Sequence, residues 1–298
     1  MQIVERTEIA PNVHACKVKA PDIAAKVQPG QFIIVIPDEF SERTPITVSD
    51  WDPTEGTISF IFLDIGSSTN SLAQLNAGDE IYSLTGPLGK SFEIKEYGKV
   101  CLVGGCYGIG GIFPAARALK EKGNRVVCYS EARSSFLLYW NKKLEEASDE
   151  VRYATADGSL GIKGHAHDLL KKDLEGGTRY DVVFAIGCTF MMYLISKATE
   201  PYGIKTIVSM NPIMIDGTGM CGACRVNIGG ETKLACVEGP EFDGHEVDWD
   251  ELMERARGYL KEEERALDLW EIDNWHLIRF RNREPEKKRR KRGGPRRC

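Results

Sequence analysis

Three cysteines and one aspartate in a short, glycine-rich stretch constrain this chain more than any other feature. Asp216, Cys221, Cys224 and Cys236 are separated by four, two and eleven residues. This is the spacing of plant-type [2Fe-2S] loops, with a carboxylate at the first of the four ligand positions. The glycines among them permit the tight turns with which such a loop presents its amides to a cluster. The stretch therefore predicts a [2Fe-2S] cluster held by these four side chains.

Two other interpretations of the same residues stay open. Three thiolates and a carboxylate can also surround zinc, although zinc ribbons usually present two paired Cys-x2-Cys knuckles and this chain has one. Alternatively, the three cysteines are ordinary buried residues, which leaves the glycine pattern without an explanation. A zinc- or cluster-bearing regulator that places a basic tail on nucleic acid is the corresponding non-enzyme hypothesis.

Length and composition indicate a soluble chain with more than one domain. Its 298 residues are 42% hydrophobic and 28% charged, which leaves room for two or three cores. The sequence has no run of eighteen apolar residues and no secretory signal pattern, so we expect a cytoplasmic protein without a membrane segment. Nine cysteines are few for a disulfide scaffold of this length, and Cys16, Cys101, Cys106 and Cys128 are expected in apolar cores.

Charge is distributed unevenly along the chain. From residue 279 onward there are eleven Lys or Arg and two Glu, a sum of +9, so the net charge of −5 leaves −14 on residues 1–278. A solvated tail is the simpler interpretation of the basic segment 287–298, and nucleic-acid binding is not expected. Before this tail the sequence predicts a loop over 238–244, a charged helix over 250–264 and an aromatic amphipathic segment over 267–280.

The first 97 residues have the pattern of a small antiparallel barrel. Arg43 and Thr47 flank the start of a predicted strand, and the segment from Gly66 to Thr69 offers amides and hydroxyls that suit a pyrophosphate. A solvated arginine and an ordinary helix cap are the plainer interpretations of these two patches. Strands are predicted over 2–5, 13–18, 31–36, 46–49, 57–62 and 80–84, with one helix over 67–75.

Residues 98–210 alternate between strands and helices, which is typical of a parallel sheet with right-handed crossovers. The turn after the first strand is rich in glycine, at the position where such sheets bind a nucleotide phosphate; a merely flexible turn is the alternative. Later turns carry Glu131, Arg133, Asp157 and Gly187, and all should meet at the carboxyl edge of the sheet. Strands are predicted over 100–103, 125–130, 151–155, 181–185 and 206–209, and a helix over 112–122.

The order of these parts resembles the ferredoxin reductase superfamily. More narrowly, the chain is similar to the electron-transfer subunits of class B dihydroorotate dehydrogenases and to the small subunits of NADH-dependent ferredoxin:NADP oxidoreductases, also called sulfide dehydrogenases. The resemblance covers about residues 1–265 and is most specific at 216–224 and 235–240. Dihydroorotate members are expected to carry cysteine at the first ligand position, so Asp216 favours the ferredoxin:NADP branch.

The resemblance implies a flavin-binding β-barrel over 1–97, a Rossmann-like nucleotide domain over 98–210, a small [2Fe-2S] domain over 211–245, and a C-terminal helix and tail over 246–298. It implies FAD in the barrel and NAD(H) on the nucleotide domain. The flavin residues carried over from the family motifs are Arg43, Pro45, Ile46, Thr47, Leu63, Ile65, Gly66, Ser68 and Thr69. The nucleotide residues are Gly104, Gly105, Gly108, Gly110, Glu131, Arg133, Asp157 and Gly187.

The same resemblance implies a redox mechanism. NADH donates a hydride and a [2Fe-2S] cluster takes one electron at a time, so a flavin must stand between them. No acid–base pair is predicted, because this chemistry requires none. The family further implies a larger partner subunit with a second flavin and more clusters, through which ferredoxin and NADP(H) would react in flavin-based electron bifurcation. The preference for NAD rests on the resemblance, since Glu131 suits a free ribose hydroxyl and Arg133 suits a 2′-phosphate.

Overall fold

The computed structural model describes residues 1–275, and its first part is a six-stranded antiparallel barrel. Its elements are β1 (Ile3–Ala10), β2 (Val13–Lys19), α1 (Pro21–Ala24), β3 (Phe32–Ile36), β4 (Thr44–Asp52), β5 (Thr57–Leu63), α2 (Ser67–Leu72) and β6 (Ser83–Leu88). The strand order is β1-β2-β5-β4-β3-β6, and a bridge from Gln2 to Glu80 ties β1 to the segment that leads into β6. Inward-facing apolar side chains such as Ile33, Ile58 and Phe60 fill the interior.

The second part is a parallel sheet with helices on both faces. Its elements are β7 (Lys99–Gly105), α3 (Gly108–Glu121), β8 (Arg125–Ala132), α4 (Asn141–Ala147), β9 (Glu150–Thr155), β10 (Ile162–Lys163), α5 (Ala166–Glu175), β11 (Val182–Ile186), α6 (Thr189–Thr199) and β12 (Lys205–Ser209). The order β10-β9-β8-β7-β11-β12 is parallel throughout. Because both faces are covered, β7 and β11 are apolar along nearly their whole length.

The third part is a short hairpin followed by helices. Its elements are β13 (Arg225–Ile228), β14 (Glu231–Leu234), α7 (Ala235–Glu238), β15 (Glu241–Asp243), α8 (Trp249–Arg255) and α9 (Leu260–Asp273). Gly229 and Gly230 form the hairpin turn with φ values of 60° and 83°, a conformation that glycine adopts without strain. The strand β15 pairs antiparallel with β12 and so extends the parallel sheet by one strand. Helix α9 returns to the barrel, where Trp270 Nε1 donates to Ser71 Oγ at 3.0 Å.

Two hydrophobic cores join these parts. One core lies on the α3 and α4 face of the parallel sheet and includes Ile61 and Val13 of the barrel. The other lies on the α5 and α6 face and includes Ile34 of the barrel together with Cys224 and Cys236. The barrel is thus packed against the parallel sheet and against the segment of residues 210–236, called here the cysteine-bearing loop.

The predicted fold class is confirmed, and several local predictions are wrong. The helix predicted over 250–264 is two helices, α8 and α9, separated by a turn at Gly258, because glycine is a poor helix former. The loop predicted over 238–244 contains β15, whose pairing with β12 could not be foreseen from three residues. Cys106, expected in the core, is half-buried and lines a cavity.

The predicted basic tail at 287–298 and the end of the segment 267–280 lie outside the described residues. Within residues 1–275, no helix has the length and apolar character needed to cross a bilayer. The domain boundaries stay predictions.

Glu241 lies at the junction of the barrel, the parallel sheet and the cysteine-bearing loop. A Cβ on Gly30 of the barrel would lie 2.7 Å from Glu241 Oε1, so these two segments of the chain are in close contact. This oxygen is buried and finds no hydrogen-bond partner among the described residues. Burial therefore raises the pKa of Glu241 to about 8. The junction holds a carboxyl group that is protonated at neutral pH.

The sign of the resulting pH dependence follows from linkage. The folded-state pKa of about 8 lies above the ordinary value of 4.5, so between these values the folded protein holds a proton that the unfolded chain has released. Stability is therefore lost as the pH rises through this window, by roughly 3–5 kcal/mol at about 1.4 kcal/mol per pKa unit.

We predict that Glu241→Gln removes this loss. Melting temperatures of variant and wild type should differ little at pH 5, and the variant should melt several degrees higher at pH 9. The matched control is Glu231→Gln on the exposed hairpin, where Glu231 pairs with Lys233, and its small effect should not grow with pH. A difference between Glu241→Gln and wild type that is the same at both pH values would contradict the prediction.

Candidate functional site

The cysteine-bearing loop, residues 210–236, runs from the end of β12 through the hairpin of β13 and β14 into α7 and folds back on itself. Cys224 and Cys236 are buried, and Cys224 Sγ donates to Cys236 Sγ at 3.2 Å. Their approach is fixed by the backbone, since the amide of Ala235 donates to Cys224 O at 3.1 Å. Cys221 is exposed. The structure therefore brings Cys224 and Cys236 together and places the third predicted cysteine ligand, Cys221, at the surface.

Asp216 fixes the backbone of residues 216–221 in this loop. Its two carboxylate oxygens accept hydrogen bonds from the amides of Thr218 and Cys221, both at 2.7 Å. These amides hold the pKa of Asp216 below its ordinary value, so the side chain is an anion. The turns between them require glycine, because Gly217 and Gly219 have φ values of 76° and 88°.

The donor set fits an iron–sulfur cluster in chemistry, although the four side chains do not converge. Within residues 1–275, no three His, Cys, Asp or Glu side chains are close enough to surround a metal ion. The amides of Ala223 and Cys236 already donate to the sulfurs of Cys221 and Cys224, each at 3.5 Å, as amides do around cluster ligands. Burial raises the pKa of Cys236 to about 12, so metal would bind with release of its proton.

The glycine-rich turn after β7 is shaped by packing as much as by any ligand. A Cβ on Gly108 would lie 1.9 Å from the carbonyl oxygen of Ile186, and one on Gly110 would lie 2.6 Å from Ile61 Cδ1 in the barrel. The amide of Gly110 donates to the Tyr139 hydroxyl at 3.1 Å, and that hydroxyl donates to Cys106 O at 2.8 Å. The first turn of α3 is thus wedged between β11 and β5.

A cavity of about 100 Å³ opens beside this turn, at the carboxyl edge of the sheet. The residues that line it are Gly105, Cys106, Glu131, Ala132, Arg133, His165, Cys188 and Met191. Gly105, Glu131 and Arg133 were predicted to bind nucleotide, and the structure brings them together. Gly104, Gly108, Gly110, Asp157 and Gly187 are not among the residues that line this cavity.

Glu131 is held by two partners at the cavity wall. Its Oε1 accepts from His165 Nδ1 at 2.8 Å, and its Oε2 accepts from the amide of Ala166 at 2.7 Å, at the start of α5. Because a carboxylate only accepts, Nδ1 of His165 carries the proton and Nε2 is left as an acceptor when the ring is neutral. The wall therefore presents a fixed carboxylate with the ring of His165, whose side chain is 53% exposed, beside it.

Asp157 lies in a separate polar cluster at the end of β9. Its Oδ1 accepts from the amide and the hydroxyl of Ser159 at 2.9 and 2.6 Å. Hydrogen bonds from Ser134 and Ser159 lower the pKa of Asp157 to about 2. The cluster connects the turns that follow β8 and β9, because Ser134 Oγ lies 3.2 Å from Ser159 Oγ.

The first predicted flavin segment lies at the start of β4, and the second begins at the end of β5 and continues into α2. The strands β4 and β5 are antiparallel with Val48 opposite Phe60. Pro45 is opposite Ile34 of β3, and Leu63 is opposite Val13 of β2. Arg43, Pro45 and Ile65 are exposed, and Thr47 and Leu63 are half-buried.

Three other predicted flavin residues have structural partners of their own. Ile46 is buried in the barrel core. The Ser68 hydroxyl accepts from the amide of Glu42 at 2.9 Å, and the Thr69 hydroxyl accepts from the amide of Gly66 at 3.1 Å.

A buried pair that the sequence did not reveal supports the second segment. His14 is fully buried, stacks on Phe62, and has its Nε2 3.2 Å from Asp64 Oδ2. Asp64 precedes Ile65, and its carbonyl accepts from Asn70 Nδ2 at 3.2 Å. The pair fixes the bend between β5 and α2. No sequence spacing predicts it, because fifty residues separate its members.

The cysteine-bearing loop touches the barrel at β3 and β6. A Cβ on Gly217 would lie 2.6 Å from Leu88 Cδ1 and 3.2 Å from Ile34 Cγ1. Ile34 is paired with Pro45, which belongs to the first predicted flavin segment. On the other side, α3 rests on Ile61 of β5. The loop therefore contacts β3, the neighbour of β4 on one side, and α3 contacts β5, the neighbour of β4 on the other side.

A barrel, a parallel nucleotide-type sheet and a C-terminal cysteine loop together define a ferredoxin reductase-like protein. Residues 211–248 match the family described as the iron-sulfur cluster binding domain of dihydroorotate dehydrogenase B. The chain is 42% identical to a homologue of the dihydroorotate dehydrogenase B (NAD(+)) electron transfer subunit from Thermotoga maritima, over 88% of this chain and 92% of the relative. It is 30% identical to the electron transfer subunit from Clostridium acetobutylicum, over 83% and 95% of the two chains.

A solved structure agrees with this relationship. A chain of an NADH-dependent reduced ferredoxin-NADP oxidoreductase, described in connection with flavin-based electron bifurcation, superposes with a TM-score of 0.85 and 38% identity. The match covers 94% of this chain and 98% of that one. The protein belongs to the family of dihydroorotate dehydrogenase B electron transfer subunits and their homologues.

Asp216 can act as an iron ligand or as the acceptor that fixes the loop turn, and a set of variants separates these two roles. Asp216→Ala removes both the anion and the acceptor of two loop amides, and is expected to lose most of its iron. Asp216→Asn keeps a neutral acceptor for the loop and should hold iron less well than wild type. Asp216→Cys restores a thiolate and should hold a cluster with an altered visible spectrum.

Iron per chain, visible absorption and melting temperature are measured on the four proteins. Unchanged iron content and spectrum in Asp216→Ala would exclude the ligand role. A matched loss of iron in Ala and Asn at equal melting temperature would show that the anion, and not the turn, is required.

Proposed function

We propose that this chain is an electron-transfer subunit that passes electrons between NAD(H), FAD and a [2Fe-2S] cluster. The observation that carries the proposal is the position of the barrel strands β3 to β5, which touch α3 beside the nucleotide cavity on one side and the loop of Asp216 on the other. Two candidate sites that contact the barrel on either side of β4 suit a chain of redox groups with the flavin in the middle. Family membership and the cysteine-loop match support the same assignment.

Each candidate site would have a separate role in electron transfer. Bound flavin would supply the exchange between a two-electron hydride donor and a one-electron acceptor. Pro45 and Thr47 on β4 and Leu63 at the end of β5 would contact the flavin, and the amides near Gly66 suit its pyrophosphate. Glu131 and His165 would orient the ribose of the nucleotide. The loop of Asp216, Cys221, Cys224 and Cys236 would hold the cluster against the barrel.

We further propose that the chain works with a larger partner subunit in the cell, as the names of its relatives suggest for them. Asp216 in place of a first cysteine favours the ferredoxin:NADP branch, with ferredoxin and NADP(H) reacting on the partner. A dihydroorotate dehydrogenase partner is the second candidate, favoured by the match of residues 211–248. Mass spectrometry of the complex purified from the native cell would distinguish the two partners.

The proposed electron path is tested by breaking it at the cluster. Cys221→Ser is expected to keep FAD and NADH-dependent flavin reduction, and to lose most electron transfer to a one-electron protein acceptor. The matched control is Cys128→Ser, since Cys128 is buried in the nucleotide sheet. Flavin content, stopped-flow flavin reduction and acceptor reduction are measured. A wild-type protein that binds neither flavin nor iron, or a Cys221→Ser protein with undiminished acceptor reduction, would contradict the proposal.

The carboxylate of Glu131, held by His165 and the Ala166 amide, predicts a preference for NADH over NADPH. Glu131→Gln removes its negative charge at the cavity wall, so the ratio of NADPH to NADH dissociation constants should fall by about ten-fold, which is 1.4 kcal/mol. Arg133→Gln is the opposed control and should raise that ratio, because a cation that suits a 2′-phosphate is lost. Equilibrium titration with both nucleotides measures the ratio. Equal ratios in wild type and Glu131→Gln would exclude Glu131 as the discriminating residue.

A further inference from the structure

Cys106 and Cys188 follow adjacent parallel strands at matching positions. Strands β7 and β11 are in register with Gly104 beside Ile186, and each cysteine comes two residues later. The two segments are still in contact one residue after this pair, since a Cβ on Gly187 would lie 3.1 Å from Gly105 O. Both cysteines line the same cavity of about 100 Å³. Neighbouring strands in a sheet are about 4.8 Å apart, within the Cα separations that disulfides span.

The other thiols of the barrel and nucleotide sheet are protected from reaction. Cys16, Cys101 and Cys128 are buried. Burial raises the pKa of Cys16 and of Cys128 to about 12, and the pKa of Cys101 well above its ordinary value. Cys106 and Cys188 are half-buried at the cavity wall. Cys106 also has φ 52°, a left-handed conformation that glycine adopts more readily.

We propose that Cys106 and Cys188 form an oxidisable thiol pair in the nucleotide cavity, which a peroxide converts to a disulfide that excludes the dinucleotide. The thiolate of one cysteine attacks the peroxide, forming a sulfenic acid and releasing hydroxide or alkoxide. The second thiol then displaces the hydroxyl as water, forming the S–S bond. Two thiols are oxidised, one peroxide is reduced, and a dithiol reductant reverses the step by exchange.

The exclusion of nucleotide rests on the proposed function. A disulfide would bridge the turn before α3 and the turn before α6, which form two sides of the cavity. The bridge would occupy the space between them, where the nucleotide is expected to lie. Bound nucleotide should in turn keep peroxide and alkylating reagents from the two thiols.

The covalent part is tested on the full-length protein with its cofactors, in a Cys298→Ser background because residue 298 is outside the described part of the chain. The protein is treated with one equivalent of hydrogen peroxide, alkylated and digested with trypsin. A cross-linked pair of peptides 100–117 and 180–197 is expected, lighter by two hydrogen atoms than the sum of the two. Fragmentation separates Cys106 from Cys101 in the first peptide. Independent oxidation of the two peptides without a cross-link would overturn the proposal.

The functional part uses NADH affinity before and after oxidation. Oxidation should weaken NADH binding at least about ten-fold in the Cys298→Ser protein, and dithiothreitol should restore it. Cys106→Gly, which suits the local φ, should show no such loss on oxidation. An equal loss in Cys106→Gly would overturn the proposal. If the cross-link forms but the reduced protein binds no NADH, the thiol pair stands and the proposed nucleotide site fails.

Discussion

One close backbone approach determines how the parts of this molecule are arranged. The first turn of α3 lies so near β11 that a Cβ on Gly108 would be 1.9 Å from the carbonyl oxygen of Ile186. Two residues later, Gly110 lies against Ile61 of the barrel. The turn that shapes the candidate nucleotide cavity is therefore also the contact between the parallel sheet and β5 of the barrel. Because glycine alone fits both contacts, the position of the cavity relative to the barrel is set by packing before any cofactor binds.

The cysteine-bearing loop is held at its ends and open at its middle. At its ends, the amide of Met210 donates to Pro240 O at 2.9 Å, and the amide of Lys90 in the barrel donates to Gly239 O at 2.7 Å. Cys224 and Cys236 share a core with the nucleotide sheet, whereas Cys221 is exposed. Half of the predicted ligand set is thus built into the fold, and the other half lies nearer the surface.

Periodicity and turn chemistry predicted the order of the parts, because alternating apolar runs and glycine-rich turns are local signals. The metal-type spacing of Cys221, Cys224 and Cys236 is equally local. What the sequence could not predict depends on distant contacts: β15 completes the nucleotide sheet from beyond the cysteine loop, and His165 meets Glu131 across thirty-four residues. A polar pair of this kind leaves no periodic trace, although a histidine just before a helix at the carboxyl edge was a usable hint.

The ionisation of the loop bears on how a cluster would be acquired. Amide hydrogen bonds lower the pKa of Asp216, so its carboxylate is an anion at neutral pH without metal. Burial raises the pKa of Cys236 to about 12, so that thiol keeps its proton until metal replaces it. An incoming cluster would therefore first meet a charged carboxylate and the exposed Cys221, and then the buried thiols. A carboxylate at the first ligand position supplies charge at the rim of the loop, where a neutral thiol would supply none.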